Sequence, residues 1–399
     1  MPPFHSLALW TKTIVLLVTL LYPAATSAAT PWERLAPLPQ SNGGFLSATL
    51  GDELIIAGGT HWQDETKSWL DQIWAYAPAR NTWRDAGHLP APLAYAVTGT
   101  AGDALWYAGG SSGLTTHRTL GKISPGGTAQ RVATLESTLV YAAGAVIGTT
   151  LYAVGGSDDQ AKLERVTNHF LAIDLKTGQI SRLPDYPEKS LTTATAAAVG
   201  QRLFIFGGAR WEPTAATVVN HRTAHAYSLT KNLWETLPPL PHPGRGITAV
   251  ALDPRHILIA GGYRDDSVEF VRDAFIFDLT TGTYTPTIPL PYAAMVSLVQ
   301  SGEWLYCLGG EDRKKHRTDA VFRIRWQALL ARPRRRRQRT APAALGGDIL
   351  KQITTLDAAV VPAGLMLGSA SGSSPRRAGR AKAPRPAAKP PASPLLRYR

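Results

Sequence analysis

The chain has 399 residues, with 42 Lys and Arg against 29 Asp and Glu and a formal net charge of +13. Residues 330–399 hold 15 Arg and Lys against Asp348 and Asp357, so this tail carries the whole surplus; the body balances to zero, which excludes a phosphate-binding footprint there. A single cysteine, Cys307, excludes an internal disulfide, and its apolar run Trp304–Leu308 predicts a buried thiol.

In chain order, Lys12 precedes an apolar run from Ile14 to Tyr22, followed by Pro23 and small residues through Ala29. Charge, short apolar core and small-residue exit predict a secretory signal peptide over 1–29, cut near Ala28 or Ala29. The run is about half the roughly 20 residues that a bilayer span needs. An exported protein, periplasmic or extracellular, is the expectation.

From residue 31 a short pattern recurs six times: a turn, an apolar strand, then paired glycines. The first reads Gly51-Asp52-Glu53-Leu54-Ile55-Ile56-Ala57-Gly58-Gly59, and the others end at Gly109-Gly110, Gly155-Gly156, Gly207-Gly208, Gly261-Gly262 and Gly309-Gly310. After each pair come a polar loop, an alternating strand such as Ile73-Trp74-Ala75-Tyr76, a tight turn, and in several repeats an aromatic restart: Trp83, Trp234 or Tyr284. Leu-Pro pairs then lead into the next unit. Short alternating runs bounded by Gly, Pro and Asn predict four-stranded antiparallel units. A period of roughly 50 residues is that of kelch repeats. The fold expected over 31–326 is an all-β, six-bladed propeller. The second blade is degenerate, with Pro125-Gly126-Gly127 and no tryptophan.

Trp32-Glu33-Arg34-Leu35 reads as a fourth strand without its own blade, while Val296–Trp326 supplies three strands and lacks a fourth. Pairing them closes the ring and removes both free edges. The aromatics Trp83 and Trp234 are expected to pack between blades. Residues 327–399, with Arg334–Arg337 and a Pro/Ala/Lys-rich end, lack the apolar content to order themselves. Three readings stand for that tail: a solvated extension, an electrostatic tether to anionic surfaces, or an altered reading frame.

Chemistry is expected at the mouth of the channel, where the loops after the glycine pairs converge. Those loops carry His61, Arg210, Arg264 and Glu311, with Arg317 six residues beyond Glu311. A carboxylate with a nearby arginine can move a proton beside a bound anion, or can be a solvated ion pair; spacing leaves both open.

The segment Gly310-Glu311, then Arg317-Thr318, resembles the active loop of the sialic acid mutarotases, kelch-propeller epimerases of N-acetylneuraminate. Gly43-Gly44-Phe45 with Lys67 and Asp71 matches the blade that follows that loop in the family. The blade order is rotated by two, as in the cyclically permuted branch. The resemblance covers residues 31–326 and implies a small, sialic-acid-like sugar in the funnel. It implies Glu311 as proton acceptor and Arg317 as the partner of the substrate carboxylate, with Arg210, Arg264 and His61 as further contacts. No cofactor is expected, and the sequence offers no His-rich or Cys-rich metal cluster. The alternatives are a non-catalytic kelch module binding a protein or glycan, and a galactose-oxidase-like copper enzyme, for which no convincing histidine pair is present.

Overall fold

A computed structural model describes residues 31–331, Leu114 excepted. The expected signal peptide (1–29) and all of the basic tail beyond Ala331 lie outside the described residues.

Six four-stranded antiparallel sheets make the propeller, each running from an inner to an outer strand. The inner strands are Leu46–Leu50, Val97–Ala101, Ala143–Ile147, Thr195–Val199, Thr248–Ala251 and Met295–Ser301. The second strands are the apolar runs before the glycines, from Glu53–Ala57 to Trp304–Glu311. Their side chains are almost wholly buried, because both faces of each blade pack against neighbours.

The paired glycines have a geometric cause. All twelve have positive φ, from 46° at Gly309 to 104° at Gly310, a region that side chains with a Cβ avoid. The N–H of the first glycine bonds its own third strand, as in Gly58 to Gln72 O at 3.0 Å. The second bonds the segment entering the next blade: Gly59 to Leu93 O, Gly110 to Leu139 O and Gly156 to Leu191 O, each at 2.7 Å. A Cβ on the first glycine would strike that same entering carbonyl in every blade. The repeat therefore needs glycine both for its turn and for the close approach of the next blade.

Ring closure follows the expected strand exchange. Glu33–Arg34 pairs antiparallel with Val321–Arg325, placing Glu33 opposite Arg323 and Arg34 opposite Phe322. Trp32 is buried in the cluster of blades 5 and 6, and its indole donates to Pro289 O at 2.8 Å. Leu35 and Leu38 pack instead between blades 6 and 1. The outer aromatics do bridge blades. Trp83 donates to Ala36 O at 3.2 Å, Trp234 to Pro184 O at 2.9 Å and Tyr284 to Pro238 O at 2.9 Å. Blade 2 replaces the aromatic restart with a short 3-10 turn at Pro125–Gly127.

Gln327–Leu330 forms one helical turn that sinks Leu329 into the cluster of blades 5 and 6. Thr287 Oγ1 donates to Leu329 O. Cys307 is fully buried, and burial pushes its thiol up to about 12, only partly countered by a hydrogen bond with Tyr292.

Candidate functional site

The funnel holds a cavity of about 400 Å³, lined by residues from all six blades. Most of its wall comes from segments entering the inner strands: Gly43–Phe45, Tyr95–Ala96, Tyr141–Ala142, Thr193–Ala194, Arg245–Thr248 and Met295–Ser297. The residues just past the glycines, expected to converge on the funnel, supply the smaller share of its lining. In five blades the first post-glycine residue pairs back onto the segment entering its own blade (Thr60 on Gly43, Ser111 on Ala94, Ser157 on Val140, Ala209 on Thr192, Tyr263 on Arg245). That pairing pushes much of each loop outward.

One residue per entering segment adopts a left-handed backbone: Gly44 (φ 74°), Tyr95 (62°), Tyr141 (60°), Thr193 (51°) and Gly246 (58°). Their amides form a chain around the funnel, from Tyr95 N–H to Gly44 O at 2.9 Å through Tyr141 to Tyr95 and Thr193 to Tyr141, ending with Gly246 to Thr193 O at 2.8 Å. Two bulky tyrosines in this region are uncommon enough to mark the place. Blade 6 lies outside the chain: Met295 stands at the equivalent position and pairs across a register shift with Glu311.

Glu311 sits at that break. Its side chain is 17% exposed, lines the cavity, and meets Arg317 Nη1 at 3.0 Å through Oε2. Burial raises the Glu311 pKa, and the positive charges of Arg317, Lys67 and Arg245 offset part of that rise. Arg317 is 4% exposed. Its Nε donates to Thr60 Oγ1 at 3.2 Å and its Nη1 to His316 O at 2.9 Å. Lys67 reaches in from the hairpin Thr60–Gln63/Thr66–Trp69, with Nζ 4.8 Å from the Trp69 ring and 4.9 Å from that of Tyr95. Arg245 lies over Tyr263 at 4.3 Å and donates to Asn220 Oδ1 at 3.0 Å. Three cations thus face one carboxylate on this side. Apolar groups, among them Phe45, Ile247 and Met295, complete the wall. Such a cavity suits an anion with an apolar substituent.

Glu311 and Arg317 are brought together here; His61, Arg210 and Arg264 do not line the cavity. His61 Nδ1 contacts Ser41 Oγ at 2.9 Å, Arg210 approaches Glu212 at 3.7 Å, and Arg264 pairs with Asp273. Alternation of extended backbone is the reason for two of them. Trp62 faces the cavity where His61 does not, and Tyr263 does where Arg264 does not. Sequence reasoning missed Tyr95, Tyr141, Arg245 and Met295. The signal available was positional: Tyr95, Tyr141 and Met295 each stand 14 residues before the first glycine of their pair, and Arg245 directly precedes Gly246 of the corresponding segment in blade 5.

Residues 140–338 match the KLHDC2/KLHL20/DRC7 Kelch-repeats domain. Kelch-like protein 36 of Rattus norvegicus is 27% identical over 242 residues, covering 56% of this chain and 36% of that protein. Kelch-like protein terF of Aspergillus terreus is 25% identical over 283 residues, covering 66% of this chain and 60% of that one. The chain thus spans about a third of the first relative and about three-fifths of the second. Among solved structures, YjhT matches with a TM-score of 0.56 and 15% identity over 63% of this chain and 86% of its own, a likeness of fold. Paired left-handed glycines, six four-stranded blades and an exchanged closing strand agree with these matches: the chain is a six-bladed β-propeller built of kelch repeats.

Proposed function

We propose that this propeller is an exported mutarotase that interconverts the anomers of a sialic-acid-like sugar. The observation that carries the reading is the Glu311–Arg317 pair in the cavity wall, with Lys67 and Arg245 beside it. Such a substrate is a cyclic hemiketal with a carboxylate on its anomeric carbon. Arg317, assisted by Lys67 and Arg245, holds that carboxylate, and Glu311 takes the proton of the anomeric hydroxyl. The ring opens, the carbonyl turns, and the ring recloses on its other face. A partly desolvated carboxylate with a raised pKa suits reversible proton transfer near neutral pH.

The test follows anomer ratios by proton NMR after adding the protein to freshly dissolved α-anomeric sialic acid. Faster relaxation than in buffer alone supports the reading. Binding of the sugar without acceleration would replace it with a non-catalytic glycan-binding propeller, a reading that the Kelch-like relatives leave in place.

A further inference from the structure

We infer that Tyr95 is the second proton-transferring group of this site, the donor to the sugar ring oxygen that complements Glu311; this rests on the mutarotase reading above. Opening a hemiketal moves two protons: one leaves the anomeric hydroxyl, and one must reach the ring oxygen. Glu311 accounts only for the first.

The placement of Tyr95 supports the assignment independently of titration. Its left-handed backbone turns the ring into the cavity, over the face of Gly44. A Cβ at Gly44 would collide with the Tyr95 ring, so the phenol lies directly on glycine backbone. Tyr141 packs against the Tyr95 ring with centroids 4.9 Å apart. The phenol oxygen stands 3.3 Å from Thr60 Oγ1. The single Thr60 hydroxyl proton is already donated to Gly43 O at 2.9 Å, so Tyr95 supplies the proton in that contact. The same Thr60 oxygen accepts from Arg317 Nε, and Arg317 pairs with Glu311. Three contacts, passing through Thr60 and Arg317, therefore connect Tyr95 to Glu311.

The groups facing Tyr95 are Lys67, Arg317, Thr60 and Tyr141, with Glu311 beyond Arg317. Burial alone raises a phenol, but the charges of Lys67 and Arg317 and a hydrogen bond with Lys67 outweigh it and bring Tyr95 down to about 8. A donor titrating that close to the working pH can both give and regain its proton. In the forward step Glu311 accepts the anomeric hydroxyl proton and the bond from anomeric carbon to ring oxygen breaks. Its electron pair stays on the ring oxygen, which takes the Tyr95 proton as the carbonyl forms. Reclosure reverses each transfer: the freed hydroxyl returns its proton to Tyr95 and attacks the carbonyl, whose oxygen regains the proton from Glu311.

The experiment compares anomer interconversion and sugar affinity of wild type and Tyr95→Phe across pH. The expected result is a rate lower by roughly 10²-fold with affinity retained. The wild-type rate should fall as pH rises through about 8, and that alkaline limb should vanish in the variant. An active wild type whose rate and alkaline limb survive in Tyr95→Phe overturns the inference and leaves the mutarotase reading standing. A wild type that does not accelerate anomer exchange removes both. Should the variant fail to fold, the wild-type profile decides: a rate unchanged through the phenol titration overturns the role.

Discussion

Arg317 lies directly against the backbone of Gly43. A Cβ at that position would stand 2.6 Å from Arg317 Cδ and 2.8 Å from its Nε. Gly43 has no left-handed backbone, so the need for glycine there is one of space alone. Gly43→Ala should therefore push the guanidinium away from Glu311 while leaving the fold intact. A displacement of about 1 Å at a reacting group can cost roughly 10²-fold. We expect anomer exchange to fall by about 10-fold or more, with a stability cost of about 1–3 kcal/mol from overpacking against a buried side chain. An unaltered rate would mean that the guanidinium position is not critical.

Glu311→Gln and Arg317→Ala separate chemistry from integrity. The glutamine keeps the shape and removes the proton acceptor, so the rate should drop by roughly 10²-fold or more while sugar binding survives. Arg317→Ala strands a mostly buried carboxylate. It should weaken binding and also destabilise the protein by about 3–5 kcal/mol. Calorimetric titration with thermal melts of both variants distinguishes the two outcomes; equal losses in both would argue for a structural pair only.

The acid limb of the pH profile should report Glu311. Burial raises its pKa, so its base form is present only above a pH higher than that of an ordinary glutamate. Activity is then retained at neutral pH and lost as pH falls through that raised value. In Glu311→Gln the residual rate should lack this limb. A wild-type limb in the usual carboxylate range would contradict the desolvation argument.

Closure depends on residues at opposite ends of the described chain. Trp32→Ala removes a buried indole and its bond to Pro289, a loss of about 3–5 kcal/mol. Deleting Trp32–Leu35 also strips the outer edge of blade 6, and should cause aggregation or a much lower Tm. Melting followed by circular dichroism checks both, and an unchanged midpoint would show that the ring closes otherwise.

The end of the body gives the last test. Leu329 is 2% exposed, so Leu329→Ala should cost about 2–5 kcal/mol. A chain ending at Trp326 should melt lower than one ending at Ala331, and equal midpoints would place the helical turn outside the cooperative unit.

The glycine pairs, the apolar second strands and the spare strand at Trp32–Leu35 were legible because each repeats a local requirement. Positive φ demands glycine, a doubly covered strand demands continuous apolar residues, and an unpaired edge demands a partner. Glu311 and Arg317 were legible as a spaced pair. Their mutual contact, their burial and the seat of Arg317 on Gly43 came only from the tertiary structure. Period-2 alternation means that one residue decides between cavity and exterior, and the sequence did not reveal that phase for His61 and Arg264. Tyr95, Tyr141 and Arg245 stand far apart in the chain and ordinary in their local context. They meet because six blades, each turned by its own glycines, bring their entering segments around one axis.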